Sequence, residues 1–166
     1  MYVHIFVSSI SRINMSAMKI EDAIKQTVFK DPYQKVMINL LYTAGWLELR
    51  QASAFREYGV TAPQYNVLRI LRGQHPKPAT VNLLIERMLD KTSNASRIVD
   101  KLEAKQLVTR TVCPSNRRAV DIRITDAGLA LLESMHPALE EQNTVLKNLS
   151  PAEAEQLSNL LDKLRD

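Results

Sequence analysis

Apolar residues keep three successive rhythms along this chain. From residue 31 to about 105 they recur every three or four positions; from 108 to 125 they alternate; from 126 onward the longer spacing returns. The first rhythm opens at Asp31-Pro32-Tyr33-Gln34, where a side-chain acceptor, a first-turn proline and a reach-back amide stand in helix-start order. Met37, Leu40, Leu41, Ala44, Leu47, Ala54, Phe55 and Tyr58 continue it, and Gly59 is placed to end that helix. Thr61-Ala62-Pro63-Gln64 repeats the start signal, and Tyr65, Leu68 and Leu71 carry a second helix to Arg72-Gly73. Two prolines within Gln74-His75-Pro76-Lys77-Pro78 predict a loop.

Thr80 then caps a short helix with Val81, Leu84, Ile85 and Met88 on one face. A further helix is predicted from near Ser93 to about Lys105, with Ile98, Val99 and Leu102 inward and Thr92, Ser93, Asn94, Ser96, Arg97 and Lys101 outward. Two short helices joined by a tight turn have helix-turn-helix geometry. The alternating stretch supplies two half-buried strands, Val108, Arg110, Val112 and Val120, Ile122, Ile124, joined by Cys113-Pro114-Ser115-Asn116-Arg117-Arg118 as a basic hairpin tip.

Beyond Thr125, a further N-cap, the stripe Leu129, Leu132, Met135, Leu139, Val145, Leu146, Leu149 predicts a long helix that Pro137 should kink or divide. Ser150-Pro151-Ala152-Glu153 is a capping box opening a last helix with Leu157, Leu160, Leu161 and Leu164. The expected fold is mainly α with a small β-hairpin: a winged helix-turn-helix lobe between N- and C-terminal dimerisation helices. The expected organisation is an N-terminal extension at 1–30, in part without order, and a first dimerisation helix at 31–58. A DNA-binding lobe at 59–125 and C-terminal dimerisation helices at 126–166 complete it. The broad apolar faces of the end helices need covering, by a second copy of the chain or by closure into one monomeric bundle.

Composition narrows the class. With 166 residues, 45% apolar and 24% charged, the chain is one globular domain with helical extensions, large enough to fold without metal or disulfide. Four glycines and 5% aromatic residues argue against an all-β sandwich or a Gly-rich nucleotide fold. A single cysteine, Cys113, precludes an intramolecular disulfide and points to a reducing, cytoplasmic setting. No apolar run is long enough to span a bilayer. The first fourteen residues, MYVHIFVSSISRIN, lack the features of a secretory signal, and Met15 and Met18 are alternative starts to Met1.

Charge is unevenly spread. Lys and Arg outnumber Asp and Glu by 22 to 18 overall. Residues 91–123 hold Lys91, Arg97, Lys101, Lys105, Arg110, Arg117, Arg118 and Arg123 against Asp100, Glu103 and Asp121, whereas the stretch from Asp126 onward is acidic. A basic centre beside an acidic helical tail suits a polyanion partner, as it would suit a merely solvated face. Catalysis is not expected: His4, His75 and His136 share no ligand spacing, Glu140-Glu141 point to different helix faces, and no phosphate cradle or nucleophile elbow exists. No metal and no cofactor is expected.

The residues suited to DNA are the small polar side chains at the start of the second short helix, with Arg97 in reach of guanine. Arg117 and Arg118 have the charge for a minor groove, with Asn116 beside them, and Thr80 and Lys91 are placed for phosphates. A winged helix that docks a protein partner through its terminal helices and does not read DNA is the other reading. It has no need of a basic hairpin tip.

The stretch from Thr61 to Leu131 resembles the MarR family of bacterial winged-helix transcription factors. The resemblance is carried by Thr61-Ala62-Pro63-Gln64-Tyr65, by the run from Arg97 to Arg110, and by Asn116 through Gly128, which includes the wing and the Ile124-Thr125 exit into Asp126-Ala127-Gly128. The flanking helices fit the same architecture, extending it over about residues 31–166. It implies a homodimer on a pseudo-palindromic double-stranded DNA operator. It also implies repression relieved by a small aromatic or phenolic effector or by cysteine oxidation, with Trp46, Tyr42 and Tyr65 as pocket candidates. Two positions depart from the family pattern: Asn116 stands where the wing usually has Asp, and Gln106 where a Gly is usual. The first long helix lacks the reactive cysteine of the peroxide-sensing branch, and Cys113 has no resolving partner, so a thiol switch is not expected.

Overall fold

The computed structural model describes residues 18–113 and 116–165, with residue 113 and residues 116–119 described by backbone alone. The chain divides after Leu47 into two compact units. In the first, α1 (Ile20–Ile24) has no side-chain cap and ends on Lys25 in the left-handed region. Glu21 Oε1 accepts from Lys35 Nζ at 2.5 Å, and that ammonium lies 5.9 Å from the Phe29 ring centroid. Within the expected extension at 1–30, residues 20–24 are helical, and residues 1–17 lie outside the described residues. Helix α2 (Pro32–Glu57) starts as expected, with Asp31 Oδ1 accepting from Gln34 N at 2.8 Å.

In the second unit, α2 ends in a Schellman motif. Gly59 sits at φ 66°, its N–H bonds Arg56 O, and Val60 N–H bonds Phe55 O, each at 3.0 Å. Helix α3 (Ala62–Gln74) carries the predicted reciprocal capping box of Thr61 and Gln64 and ends one residue beyond the Arg72-Gly73 stop. Helices α4 (Val81–Arg87) and α5 (Ala95–Ala104) are capped by Thr80 and Asn94. Helix α5 therefore begins two residues later than the Ser93 start, because Asn94, and not Ser93, accepts the Arg97 N–H at 3.0 Å.

Strands β1 (Val108–Cys113) and β2 (Asn116–Ile124) pair antiparallel, Val108 with Ile124 through Val112 with Val120, with a register shift before Cys113. Asn116, Arg117 and Arg118 are thus strand residues by backbone, correcting the longer tip loop expected for them. The ladder continues further toward the tip than alternation of apolar residues signals. Ala79 adds a third edge, exchanging both backbone bonds with Ile122 at 2.8 and 2.9 Å.

One core joins these pieces: Val67, Leu68 and Leu71 of α3, Leu84 and Met88, Val99 and Leu102 of α5, Val108, Ile122 and Leu132 are all almost fully buried. With that face of α5 inward, its other face is left to solvent.

Helix α6 (Asp126–Asn143) passes through Pro137 as one helix, so the chain is not divided there. Pro137 forfeits one backbone donor. Met135 and Leu139 on either side of it are buried against Ala54, Phe55 and Val60, which holds both halves in place. A 3₁₀ turn (Thr144–Asn148) leads to α7 (Pro151–Lys163), which has the capping box expected of Ser150 and Glu153 and buries none of its residues. The Ser150 hydroxyl and N–H both donate to Glu153, lowering its pKa.

Candidate nucleic-acid interface

The turn between α4 and α5 is built around Asp90. Its Oδ1 accepts from the Thr92 N–H at 2.9 Å and the Thr92 hydroxyl at 2.7 Å, and its Oδ2 accepts from the Ser93 hydroxyl at 2.5 Å. Those donors, the Ser93 hydroxyl first, hold the Asp90 carboxyl down to about 2. The preceding residue is fixed as well, since Leu89 N–H donates to Asn66 Oδ1 of α3 at 3.0 Å. Met88, fully buried, anchors this end of the turn in the core.

The turn sets out the polar residues that precede and open α5. Thr92, Asn94, Ser96 and Arg97 are exposed, and Ser93 is half-buried. Asn94 is committed through its carbonyl to the cap, while the Arg97 side chain has no hydrogen bond or ion pair among the described residues. Lys91 is engaged within the fold. Its ammonium donates to Ile85 O at 3.1 Å and Glu86 O at 2.5 Å, meeting carbonyls at the end of α4. Thr80 is exposed and accepts Leu83 N–H at 3.2 Å, which leaves its own hydroxyl proton to donate. Lys101 lies elsewhere, in a 480 Å³ cleft with Arg56, Thr61 and Lys105.

Beside α5 the hairpin is tied down by Arg110 of β1, whose guanidinium reaches Asp100, Glu103 and the Ser96 carbonyl of α5. The side chains of Cys113, Asn116, Arg117 and Arg118 lie outside the described residues.

Between the end of α2, the start of α3 and the Asp90 turn lies an open cavity of about 690 Å³. Phe55, Val60, Pro63, Met88 and Leu89 give it apolar walls, and Asp90 stands among its lining residues. Tyr65 does not line it. Its ring packs 5.3 Å from Phe55 between the two core clusters, with its hydroxyl accepting from Arg69 at 3.0 Å, so it serves the core rather than a pocket. In the first unit, Tyr42 is exposed and Trp46 half-buried.

Sequence reading passes over Asp90, Asn66 and Ala79. Asp followed by Thr at the second and Ser at the third position is the composition of a side-chain-closed turn, and it is the available signal for Asp90. Asn66 and Ala79 act through contacts distant in sequence and carry no local signal. Among the described residues no three His, Cys, Asp or Glu side chains group as a metal site, and no helix is long and apolar enough to cross a membrane.

Residues 58–119 match the sequence model of the MarR family. Over 109 residues the chain is 27% identical to HTH-type transcriptional regulator MhqR of Bacillus subtilis (strain 168), an alignment spanning 65% of this chain and 74% of that protein. The MarR transcription factor from Planctomyces limnophilus superposes with a TM-score of 0.64 at 29% identity, covering 81% of this chain and 98% of that one. Bordetella bronchiseptica BpsR, whose structure concerns regulation of its DNA binding by 6-hydroxynicotinic acid, superposes with a TM-score of 0.71 at 24% identity, covering 84% of this chain and 99% of that one. At that identity the likeness to BpsR is one of fold.

Proposed function

We propose that this chain, whose residues 58–119 match the MarR family model, is a MarR-type homodimeric, sequence-specific DNA-binding regulator, a repressor released by a small aromatic ligand. The observation that carries the DNA reading is the exposed polar row Thr92, Asn94, Ser96 and Arg97 on a helix whose other face is locked into the core, beside a tethered hairpin. In this reading α5 enters the major groove, Arg97 reads a base, Thr80 meets a phosphate, and Arg117 and Arg118 grip the adjacent minor groove with Asn116. Lys91 and Lys101 join them only as longer-range positive charge.

Support for the homodimer comes from α7. Leu157, Leu160 and Leu164 are 45%, 57% and 63% exposed on a helix with no fully buried residue, and Leu146 and Leu149, also exposed, lead into it. In α2, Val36, Met37 and Leu41 are likewise exposed. A second copy covers such stripes most economically. Support for ligand control comes from the 690 Å³ cavity, which has ample room for a small aromatic ligand and whose lining includes Asp90 of the turn that presents α5. BpsR, of like fold, has its DNA binding regulated by 6-hydroxynicotinic acid.

The test is a fluorescence-anisotropy titration of the protein on the DNA upstream of its own coding region, with unrelated duplex as control, at ~150 mM salt. The expected result is two chains per duplex and affinity at least ~10³-fold above the control. Equal weak binding to both, with no enrichment from randomised duplex and little retention on heparin, would overturn the DNA reading in favour of a winged helix that docks proteins.

A further inference from the structure

The hydroxyls at the head of α5 are not free to choose their hydrogen-bond role. Each carries one proton and two lone pairs. In the structure the Thr92 proton is given to Asp90 Oδ1 at 2.7 Å and the Ser93 proton to Asp90 Oδ2 at 2.5 Å. What remains on both oxygens is lone pairs. A phosphate oxygen is itself an acceptor, so neither hydroxyl can bond the DNA backbone while the carboxylate holds its proton. Guanine presents only acceptors, O6 and N7, to the major groove, and thymine presents O4. The donors there are the amino groups of cytosine N4 and adenine N6.

We propose that Asp90 is a specificity-determining positioning residue, which turns Thr92 and Ser93 into obligate acceptors and thereby selects an adenine or cytosine amino group beneath the start of α5. The inference rests on the DNA reading above and deepens it. It explains why a carboxylate stands at a surface that meets a polyanion. Its two oxygens are turned into the turn by three donors, so it acts on DNA through the hydroxyls it orients. The clamp is held from behind: Leu89, next to Asp90, is fixed to Asn66 of α3, and Met88 is buried in the core. Thr92 is exposed and Ser93 half-buried, so both hydroxyl oxygens keep access to a base edge.

Two substitutions that a merely structural turn would treat alike differ under this role. In Asp90→Asn the carbonyl takes the Oδ1 place, where it still accepts the Thr92 N–H and hydroxyl, and the amide at the Oδ2 place donates to the Ser93 hydroxyl and forces its proton outward. An acceptor becomes a donor, suited to guanine or thymine. In Thr92→Val with Ser93→Ala both readers are gone while Asp90 remains.

The experiment is selection of binding sites from a randomised duplex pool by the full-length wild type and both variants, with circular dichroism as a check on folding. Wild type is expected to enrich adenine or cytosine at one position per half-site. The Asp90→Asn variant is expected to lose that preference by about tenfold in favour of guanine or thymine at the same position. The Thr92→Val, Ser93→Ala variant is expected to show no preference there while keeping the bases selected elsewhere. An unchanged motif in the Asp90→Asn variant overturns the inference and leaves the DNA reading intact. If that variant does not fold, an unchanged motif in the double variant overturns it equally. Wild type that enriches no sequence overturns both readings.

Discussion

Arg110 of β1 and Asp100 of α5 form an ion pair that joins the hairpin to the exposed helix. The same guanidinium lies 3.4 Å from Glu103 Oε2 and donates to the Ser96 carbonyl at 3.3 Å, so one wing residue spans two turns of α5. Arginine suits this place because its planar fork addresses several acceptors from one fixed position. These contacts tie the middle of β1 to α5.

The stability at stake in that ion pair is small, because Asp100 and Glu103 are 60% and 44% exposed and solvent screens them. Arg110→Met is expected to lower unfolding stability by no more than about 1 kcal/mol. It should weaken specific DNA binding by tenfold or more, through a wing no longer held at a fixed angle. Denaturant melts set beside anisotropy titrations check this; affinity that falls only in step with stability would deny the tether a part in binding.

Gly128 has no room for a side chain. A Cβ there would stand 2.4 Å from the Leu107 carbonyl oxygen and 2.7 Å from Ile124 Cγ1, and the first of these is backbone that cannot turn aside. Gly128→Ala should destabilise by about 2–3 kcal/mol despite the better helix propensity of alanine. Gly73, which meets nothing within 4 Å in α3, supplies the control. Gly73→Ala should stabilise by about 0.5 kcal/mol. Urea midpoints of the two variants moving in opposite directions is the expected outcome.

Gln106 occupies the left-handed position of a second Schellman motif. It sits at φ 60°, with its N–H on Glu103 O at 2.8 Å and Leu107 N–H on Leu102 O at 3.0 Å. This is the position where the family pattern usually has glycine. Gln106→Gly should remove the left-handed strain and raise stability by roughly 0.5–1 kcal/mol. Thermal unfolding measures it, and a lowered melting temperature would mean that the glutamine side chain contributes more than its backbone strain costs.

What is legible in the sequence is local. Thr61, Thr80, Thr125 and Ser150 each accept the backbone N–H three residues on, because an N-cap needs only its own first turn. The alternation of Val108–Val112 with Val120–Ile124 matches the hairpin and its register. What escapes is set by partners distant in sequence. The Ala79 bridge depends on Ile122, α1 depends on Lys35 reaching Glu21, and the unbroken course of α6 at Pro137 depends on the packing of Met135 and Leu139. Tyr65 is a pocket candidate by resemblance alone, and its place against Phe55 is a matter of tertiary packing. The turn at Asp90 is local and still escapes, since an exposed carboxylate in a basic segment reads as a solvated charge until its donors are seen.

The pH response of that turn follows from its hydrogen bonds. Asp90 titrates at about 2, below the ordinary carboxylate value of 3.8, so the folded turn favours the ionised form. Its contribution is fully present above the unfolded value and is lost as pH falls from near 4 through about 2. The carbon-13 shift of the Asp90 carboxyl, followed by NMR, should therefore turn over near pH 2. The Thr92 amide should move with it, and between about pH 5 and 8 neither should change. A midpoint near the ordinary value of 3.8 would mean that the hydroxyls do not hold the carboxylate in solution.

Arg97 and the pair Arg117 and Arg118 should fail in different ways. Arg97 is exposed on α5, and in the proposed reading it meets a base edge. Arg97→Ala should relax specificity at one position in each half-site, at a cost of about 1–3 kcal/mol on the preferred sequence, and leave binding to unrelated DNA almost unchanged. Arg117 and Arg118 follow Asn116 at the start of β2, and in the proposed reading they supply positive charge to the minor groove. Replacing both with alanine should weaken every sequence alike and flatten the plot of log affinity against log salt by about 0.9 for each phosphate no longer neutralised. Titrations of both variants on specific and unrelated duplex at several salt concentrations separate the two roles. An unchanged slope in the Arg117→Ala, Arg118→Ala variant would remove the wing from the DNA interface and leave α5 to bind alone.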